Sequence, residues 1–458
     1  MYGGADYNSI KSCTLQMSGL TTGSTSGGAY FAFASSATSM TSVSSTHNGS
    51  YNTIDGCTMK TTTSCPGPTY AIVDQQGSSF YSSTPSNNTF SNNTIQNFFF
   101  MAIRNAYSNG EEFLNNDISR SNATSNNCNA SIFMSYSYYT YSTNRSTKFD
   151  GNKFHDLPYS GASSSSYLSS TVYGIIGQYN TGNTNYYFTV TNNVMTNIHL
   201  ASTSYLGYML YNYYTNITGN IVSKWNSYGT GYFNGWYFVY AYSDLKFNNN
   251  VMRDCFTKYY TYFIQDQYGD KKQINGNKYI NNISSDGNYG YTYVMYLFYP
   301  SMSYTNECNN NVIDSNTFGY YTYGVYQYYW NGTFNGNKIT NNRVYNASTS
   351  SNGAFYVTQF AYFYNMQINN NLIANNTGYY NQFGLYAYSY NSGSYSIEVR
   401  QNTLRMDDAN NGYSYGFNYG WYLYPYYHTT VDFTGNITDL NNIYYIYPVY
   451  TYNDYILI

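Results

Sequence analysis

One short pattern of apolar and polar positions recurs along almost the whole chain. It reads apolar residue, two residues mostly of the Asn, Gly or Thr type, Asn, any residue, and a second apolar residue, as in Phe334-Asn-Gly-Asn337-Lys-Ile339. Degenerate copies centre on Asn8 and Asn52. With these there are about fourteen copies, 23 residues (Asn93 to Asn116) to 44 residues (Asn8 to Asn52) apart. The twelve other copies centre on Asn93, Asn116, Asn152, Asn193, Asn220, Asn250, Asn277, Asn311, Asn337, Asn371, Asn402 and Asn436.

This irregular spacing predicts a solenoid, in which stacked strands superimpose from rung to rung while the loops between them vary in length. Within one copy, Phe334 ends a strand and Ile339 opens the next. The Asn335-Gly336 pair between them suits a sharp bend, because both residue types tolerate the left-handed conformation. We therefore expect an all-β fold and a single domain over 1–458, with clear repeats from 90 to 440 and weaker ones in 1–90.

The repeated asparagine predicts a ladder of side-chain amides. Identical amides stacked at the strand spacing of about 4.8 Å can each donate to one neighbour and accept from the other. The fixed place of this Asn between two apolar positions argues against a chance alignment in an Asn-rich chain. A second file is predicted four residues further on, at Asn97, Asn197, Asn281, Asn341 and Asn375.

Segments of alternating Tyr and small residues lie between these copies, as in Tyr386-Ala-Tyr388-Ser-Tyr390. Strand periodicity places their tyrosines on one face. We expect many of them to point outward, since each inward hydroxyl would need a hydrogen-bond partner. Such a face is a contact surface for another copy or partner, a platform for sugar rings, or simply a set of large β-forming residues.

The repeat resembles that of the right-handed parallel β-helix superfamily, which includes pectate lyases, polygalacturonases and phage tailspikes and whose turns carry an asparagine ladder. The resemblance covers residues 90–440 well and the first 90 weakly. It implies a single right-handed parallel β-helix of about fourteen rungs. It implies little about activity, because this fold serves enzymes and inert fibres alike.

The catalytic motifs of these enzymes have few counterparts here. Of the polygalacturonase motifs only the Asp-Asp pair occurs, at Asp407-Asp408, which we interpret as a solvated turn. Asp156 and Asp254 share a position in the repeat, but too many rungs separate them for one calcium ion to bridge. The Glu111-Glu112 pair with Asp117 is interpreted as a solvated loop. We expect no enzyme, catalytic residue, metal or cofactor.

Composition excludes several partners. Only 9% of the residues are charged, and 18 basic against 21 acidic side chains give a formal net charge of −3. Nucleic acid is therefore not an expected partner. The chain has no apolar run long enough for membrane insertion, and its first residues do not look like a signal peptide, so any export signal has been removed or never belonged to it.

The six cysteines are better explained by disulfides than by zinc, because no Cys-x-x-Cys pair occurs. Cys13 and Cys57 each follow the Asn of a degenerate copy by five residues, and stacking would bring them within disulfide reach. Five Asn-x-Ser/Thr sequons lie in loop-like stretches and are candidates for glycosylation: Asn122, Asn129, Asn144, Asn331 and Asn346.

These features favour an extracellular or cell-surface structural protein, a self-assembling subunit of a fibre, filament or surface coat. The expected partners are other copies, bound through the tyrosine faces or end to end, with glycans or polysaccharide as further partners. End-to-end contact is expected because both ends of the sequence are strand-like and carry no obvious cap. The alternative is a carbohydrate-binding or carbohydrate-cleaving β-helix, such as a lyase, hydrolase or tailspike-like protein.

Overall fold

A computed structural model gives the fold of most of the chain. It describes residues 6–18, 28–33, 49–62, 67–75, 86–120, 132–157, 171–200, 203–229, 231–284, 291–319, 321–344, 354–378, 381–390, 395–407, 418–425, 430–441, 446–451 and 456–457. Every regular element in these ranges is a β-strand. The all-β prediction is therefore confirmed.

The chain divides into two compact units. The first comprises Met1–Gly231 and Tyr240–Tyr242, and the second comprises Tyr232–Val239 and Ser243–Ile458. A single domain over 1–458 stays a prediction.

Nineteen strands lie in the described residues of the first unit. They are β1 (Ser9–Lys11), β2 (Thr14–Met17), β3 (Ala29–Phe33), β4 (Thr53–Asp55), β5 (Thr58–Thr61), β6 (Tyr70–Gln75), β7 (Thr89–Ser91), β8 (Thr94–Gln96), β9 (Met101–Ala106), β10 (Glu112–Leu114), β11 (Asp117–Ser119), β12 (Ile132–Tyr138), β13 (Lys148–Asp150), β14 (Lys153–Leu157), β15 (Val172–Gln178), β16 (Phe188–Thr191), β17 (Val194–Leu200), β18 (Ser204–Thr218) and β19 (Ile221–Ser227).

Strand β20 (Phe233–Asn248) contributes residues to both units. The remaining strands of the second unit are β21 (Val251–Arg253), β22 (Phe256–Thr257), β23 (Thr261–Asn275), β24 (Lys278–Ile280), β25 (Ile283–Ser284), β26 (Tyr291–Pro300), β27 (Asn306–Glu307), β28 (Val312–Asp314), β29 (Thr317–Phe318), β30 (Tyr321–Tyr328), β31 (Gly332–Asn335), β32 (Lys338–Thr340), β33 (Arg343–Val344), β34 (Ala354–Ala361), β35 (Met366–Asn369), β36 (Leu372–Asn376), β37 (Asn381–Ser389), β38 (Ser396–Arg400), β39 (Thr403–Asp407), β40 (Asn418–Pro425), β41 (Thr430–Thr434), β42 (Ile437–Asn441), β43 (Ile446–Thr451) and β44 (Ile456–Leu457).

Each unit is a parallel β-helix of stacked strands, and long strands such as β23 pass through two of its faces. The strand before each ladder Asn pairs in parallel with the equivalent strand one rung on, as β31 does with β35, and these strands form the pre-corner sheet. Strands that follow the ladder Asn form the post-corner sheet, as β28 with β32. The Tyr-rich strands form the tyrosine sheet, as β26 with β30. A parallel β-helix agrees with the resemblance, whereas its hand and the total rung number stay predictions.

Stacked apolar side chains fill the interior next to the ladder corners. Phe90, Phe113 and Phe149 are completely buried, and successive rings stack with centroids 5.0 and 4.8 Å apart. Ile274, Phe334, Ile368 and Val399 occupy the equivalent positions in the second unit and are equally buried. Each such side chain contributes about 1.5–3 kcal/mol by leaving water, so the apolar positions of the repeat supply much of the folding energy.

The bend before each ladder Asn is made by one residue with positive φ. In the second unit this residue alternates between Asn249 (φ 56°), Gly276 (φ 68°), Asn310 (φ 57°) and Gly336 (φ 65°). At position 276 glycine is needed, because a Cβ there would lie 2.3 Å from Asn249 Oδ1. The Asn-Asn and Gly-Asn pairs of the sequence therefore reflect two ways of turning the same corner.

The twelve repeat asparagines form one inner amide file in each unit. The Oδ1 of each Asn after the first of its file accepts hydrogen bonds from the backbone N and the Nδ2 of the Asn one rung earlier, at 2.8–3.1 Å. The first file runs from Asn93 to Asn220 and the second from Asn250 to Asn436. Most of these amides also donate to a main-chain carbonyl of the preceding rung, as Asn311 Nδ2 does to Ile274 O at 2.8 Å.

The degenerate copies at Asn8 and Asn52 were assigned to the wrong corner. It is Cys57 that occupies the ladder position, where its backbone N donates to Asn93 Oδ1 at 2.9 Å. Asn8 and Asn52 belong instead to a short separate file that continues to Asn88. The two corners look alike in sequence because each has a residue with positive φ before an asparagine. At the corner that contains Asn52, this residue is Tyr51.

The second predicted file is displaced by one residue. Asn281, Asn341 and Asn375 have positive φ and turn the corner. The buried file consists of the residue after each of these three, together with Asn316 from the rung between. Hydrogen bonds of 2.9–3.0 Å join the side-chain amides. In the first unit, Asn97 and Asn197 also have positive φ, and the residues after them are the buried Phe98 and Ile198. The second inner file of the second unit is Asn282, Asn316, Asn342 and Asn376.

The second unit contains a third file, which was not predicted from the sequence. The backbone N of Asn275, Asn309, Asn335 and Asn369 donates to the Oδ1 of the equivalent Asn one rung earlier, at 2.8–2.9 Å. Its bonds run opposite to those of the inner files, since here the acceptor lies in the earlier rung. The sequence signal for this file is the Asn two positions before the ladder residue, which the repeat pattern explains only as part of the bend.

We predict that Asn342→Ala lowers the free energy of unfolding by roughly 3 kcal/mol, because it removes the buried acceptor of Asn316 and leaves Ile313 O and Asn376 Oδ1 without this donor. The matched control is Asn341→Gly, at the neighbouring exposed position with positive φ, and it is expected to cost less than about 1 kcal/mol. Urea denaturation of both variants measures the difference. Equal losses would contradict the assignment of the file to position 342.

Candidate functional site: the tyrosine face

The tyrosines of the tyrosine sheet point outward. In β26, Tyr291, Tyr293 and Tyr296 are half-buried, and the residues between them are buried. Val294 and Met295 are completely inaccessible to solvent and lie in the core. The same alternation holds in β30. The outer surface of this sheet is therefore rich in aromatic rings, and we call it the tyrosine face.

The longest aromatic file of the tyrosine face lies in the second unit. Adjacent ring centroids are 4.5–5.1 Å apart and the rings are 1–13° from parallel. Rings at this spacing are in van der Waals contact, so each holds its neighbours in one orientation. The file comprises Tyr262, Tyr293, Tyr323, Tyr356, Phe383, Tyr419 and Tyr447.

A second file runs beside it, with Tyr386, Tyr422 and Tyr450 at 4.4 and 4.8 Å. The dense packing partly dehydrates the phenols. Burial raises the pKa of Tyr262 and of Tyr356 to about 12. These phenols are therefore uncharged across the physiological pH range.

The corner after the tyrosine sheet carries a file of tyrosines with positive φ. Such a conformation costs about 1–2 kcal/mol for a side chain with a Cβ. Ring stacking at 4.7–5.6 Å offsets this cost, because an aromatic pair contributes about 0.5–1.5 kcal/mol beyond area burial. These residues are Tyr107, Tyr139, Tyr179, Tyr211 and Tyr240 in the first unit, and Tyr268, Tyr299, Tyr329 and Tyr362 in the second.

A cavity of 480 Å³ opens in the tyrosine face of the first unit. It exists because Ile176 interrupts the file between Tyr136 and Tyr208, its partners in the sheet register. Arg104 lies at one end, 5.7 Å from the centroid of the Tyr136 ring, and its Nε donates to Gln75 Oε1 at 3.1 Å. The cavity thus combines aromatic walls, an apolar floor and one cation.

The acidic cluster at Glu111 is not a solvated loop, and that prediction was wrong. Glu111 is completely buried, and its carboxyl group accepts a hydrogen bond from Ser86 Oγ. Glu112 forms ion pairs with Arg145 at 3.4 Å and Lys148 at 3.8 Å. Asp117 contacts His155. This burial could not be predicted from the sequence, because Glu111 lies outside the apolar positions of the repeat.

His155 bridges two carboxylates on the outside of the post-corner sheet. Its Nε2 lies 2.6 Å from Asp117 Oδ1 and its Nδ1 lies 2.7 Å from Asp156 Oδ2. The hydrogen bond to Asp117 raises the pKa of His155, and that to Asp156 adds to the effect. Both ring nitrogens of His155 are thus engaged by carboxylates. Asp156 and Asp254 share a corner position, as expected from their place in the repeat, and both have positive φ.

A buried ion pair lies inside the second unit. Lys272 Nζ is 2.7 Å from Asp266 Oδ1, and both side chains are completely inaccessible to solvent. Lys272 Nζ also donates to Tyr268 O at 3.2 Å. Burial raises the pKa of Asp266, and Lys272 opposes that rise. The pair has no route to solvent in this arrangement, so it is structural.

The predicted Cys13–Cys57 disulfide is absent, and both residues are free thiols. The register does place them opposite each other, since Thr14 pairs with Thr58. In-register parallel strands hold equivalent atoms about 4.8 Å apart, which exceeds the usual Cβ separation of about 3.8 Å in a disulfide. Cys308 is also a free thiol, and both Cys255 and Cys308 are buried. Cys65 and Cys128 lie outside the described residues.

The other predicted positions have mixed environments. Asn144 is exposed, as a glycan requires, whereas Asn331 is half-buried and its Nδ2 donates to Met302 O at 2.9 Å. Asp407 ends β39 and pairs with Asn441. Glycosylation itself stays a prediction. Asn122, Asn129, Asn346 and Asp408 lie outside the described residues.

Known proteins resemble this chain only distantly. No protein-family model matches the sequence, and no curated protein matches it. One solved structure, the crystal structure of PfbA, a surface adhesin of Streptococcus pneumoniae, is 8% identical, with a TM-score of 0.24 over 75% of this chain and 84% of that chain. A likeness at this TM-score supports no conclusion about function.

Within the described ranges, no group of three or more His, Cys, Asp or Glu is arranged to hold a metal ion. The same residues include no helix with the length and apolarity needed to span a membrane.

We predict that Glu111→Gln stabilises the chain at neutral pH. Burial raises the pKa of Glu111 well above 4.5, and Asp74 raises it further. When folding raises a carboxyl pKa, the stabilisation is complete at pH below the pKa of the unfolded chain. It is lost as pH rises through the pKa of the folded chain. Urea unfolding between pH 4 and 9 should therefore show stability falling with pH in the parent chain and less so in the variant. A variant less stable than the parent at the alkaline end would contradict this.

Proposed function

We propose that the chain is an extracellular structural protein whose tyrosine face joins copies into an assembly. The observation that carries the proposal is the seven-membered aromatic file from Tyr262 to Tyr447 on the outer surface of the tyrosine sheet. A large ordered aromatic surface on a soluble fold is typical of a contact region.

Two properties suit the tyrosine face to association. Stacking already restricts the rings, so little side-chain entropy remains to be lost when a second surface covers them. The phenols are uncharged, and burial raises the pKa of Tyr296, which lies beside the file, to about 12. A low charge content, 9% of residues, also keeps repulsion between copies weak.

Pairing of two identical tyrosine faces would bury the files against each other around a twofold axis. End-to-end addition of strands, expected from the sequence, is a second way for copies to join and would extend such pairs into filaments. The two modes differ in their geometry, because face pairing doubles the width of a particle and end-to-end contact increases its length.

We predict that the triple variant Tyr262→Thr, Tyr323→Thr and Tyr356→Thr weakens self-association at least about tenfold, since it removes stacked rings from the tyrosine face and keeps a β-forming residue. Sedimentation velocity over a wide concentration range, with negative-stain images of the same samples, measures the effect.

The matched control removes apolar side chains from the outside of the post-corner sheet, with Ile283→Thr, Val312→Thr and Leu372→Thr. It should associate like the parent chain. A parent chain that stays monomeric at every concentration would contradict the proposal, as would equal weakening by both triple variants. Circular dichroism checks that each variant is folded.

A second candidate function, carbohydrate binding, is favoured by the cavity at Arg104. Tyr136 and Tyr208 offer aromatic faces on which sugar rings stack, and Gln178 Oε1 accepts a hydrogen bond from Tyr136 Oη at 3.1 Å, which orients both groups. The Arg104 guanidinium would select a sugar that bears a carboxylate.

We predict that an acidic oligosaccharide, tested as oligogalacturonate, binds more tightly than a neutral glucose oligomer of equal length. Arg104→Gln should remove that preference, because it deletes the cation and keeps a hydrogen-bonding side chain. Arg253→Gln, at an exposed position of the second unit, is the control. Isothermal titration calorimetry that shows no binding of either sugar would exclude this candidate.

A further inference from the structure

We propose that the stacked tyrosines of neighbouring rungs are sites of intramolecular dityrosine cross-linking, which would link one rung covalently to the next. The principal pair is Tyr293 and Tyr323, whose ring centroids are 4.6 Å apart and whose planes differ by 2°. The inference concerns a single chain and does not depend on association through the tyrosine face.

The sheet register holds these rings in contact. Tyr293 pairs with Tyr323, and Tyr323 pairs with Tyr356, in adjacent parallel strands. Tyr262 lies 5.1 Å from Tyr293 in the same file, with planes 1° apart. Each ring is therefore already in contact with its coupling partner.

The rings are also accessible from outside. Tyr262, Tyr293, Tyr323 and Tyr356 are half-buried, with one edge toward solvent, whereas the intervening side chains fill the core. A small oxidant or an oxidised mediator can therefore reach the phenols, but large groups have access only to the outer edge. Contact between rings further allows a radical formed on one tyrosine to pass to the next.

The reaction requires an oxidant that removes one electron from each phenol, and hydrogen peroxide with a peroxidase is the class we name. Each tyrosine loses one electron and its hydroxyl proton, and the two radicals join through the ring carbons next to the hydroxyls. The hydrogens on these carbons then move to the oxygens and restore both phenols. Two tyrosines and one hydrogen peroxide thus give one dityrosine and two water molecules.

Phe383 divides the file into two reactive stretches. It stacks on Tyr356 at 4.5 Å and on Tyr419 at 5.1 Å, but it has no hydroxyl and cannot form a phenoxyl radical. Links within this file are therefore expected among Tyr262 to Tyr356 and between Tyr419 and Tyr447, and none is expected at position 383. This built-in interruption distinguishes coupling through the stack from random oxidation.

The test is to oxidise the dilute full chain with horseradish peroxidase and hydrogen peroxide and to isolate the monomer band from a denaturing gel. Dityrosine fluorescence should appear in that band. Cleavage after Glu307 places Tyr293 and Tyr323 on separate peptides, so tandem mass spectrometry identifies the link as a joined pair that lacks two hydrogens.

Two variants make the assignment specific. Tyr323→Phe keeps the ring and should abolish the links of Tyr323 to Tyr293 and Tyr356, while the link between Tyr386 and Tyr422, whose rings are 4.4 Å apart, persists. Phe383→Tyr should create links from position 383 to Tyr356 and Tyr419. Fragment ions locate each link within its peptide.

A monomer band without dityrosine would overturn the inference. Links found only in dimers or larger species would also overturn it, although they would be compatible with association through the tyrosine face. If the chain stays monomeric in sedimentation and the stacked pairs still couple, the inference stands and the proposed assembly fails.

Discussion

The structure depends on the rung-to-rung hydrogen bonds of the buried corner amides. A corner without them would leave main-chain groups unpaired in an apolar interior, at about 1–3 kcal/mol for each group. Asn277 illustrates the solution, since its Oδ1 accepts two bonds from Asn250, while its Nδ2 donates to Asn311 Oδ1 and to Phe247 O. Each amide thus ties three rungs together. The loops can vary in length because the corner, rather than the loop, sets the register.

The same constraint explains what could be predicted from the sequence. A residue that must be Asn in every rung, between two inward apolar side chains, produces a periodic signal, and the fold class and inner files follow from it. The second file was misplaced by one residue because Asn341-Asn342 contains two asparagines with opposite roles, one with positive φ and exposed, the other buried. Residue type alone does not distinguish them. The backbone conformation does, and it depends on which neighbour packs inside.

Other features left weaker traces in the sequence. Cys57 takes a ladder position without an amide, because its backbone N suffices to donate to Asn93. The tyrosines with positive φ, such as Tyr329, contradict the usual preference of bulky residues and depend on stacking between rungs. Glu111 is buried through contacts with residues from other rungs, including Ser86. Such tertiary effects override local preference, and a single sequence does not display them.

Aromatic stacking on the outside and amide stacking at the corners obey one geometric rule. Parallel strands in register place equivalent side chains about 4.8 Å apart, a distance that suits both hydrogen-bonded amides and rings in van der Waals contact. Inside, this spacing favours Asn, whose donors and acceptor are satisfied by its neighbours in the file. Outside, it favours Tyr, whose hydroxyl reaches water while its ring covers the sheet. Where an aliphatic residue such as Ile176 replaces the aromatic one, the surface opens into a cavity, because nothing of equal size fills the gap. The chemistry available to this fold therefore arises where the stacking is interrupted or where its regularity brings reactive groups together.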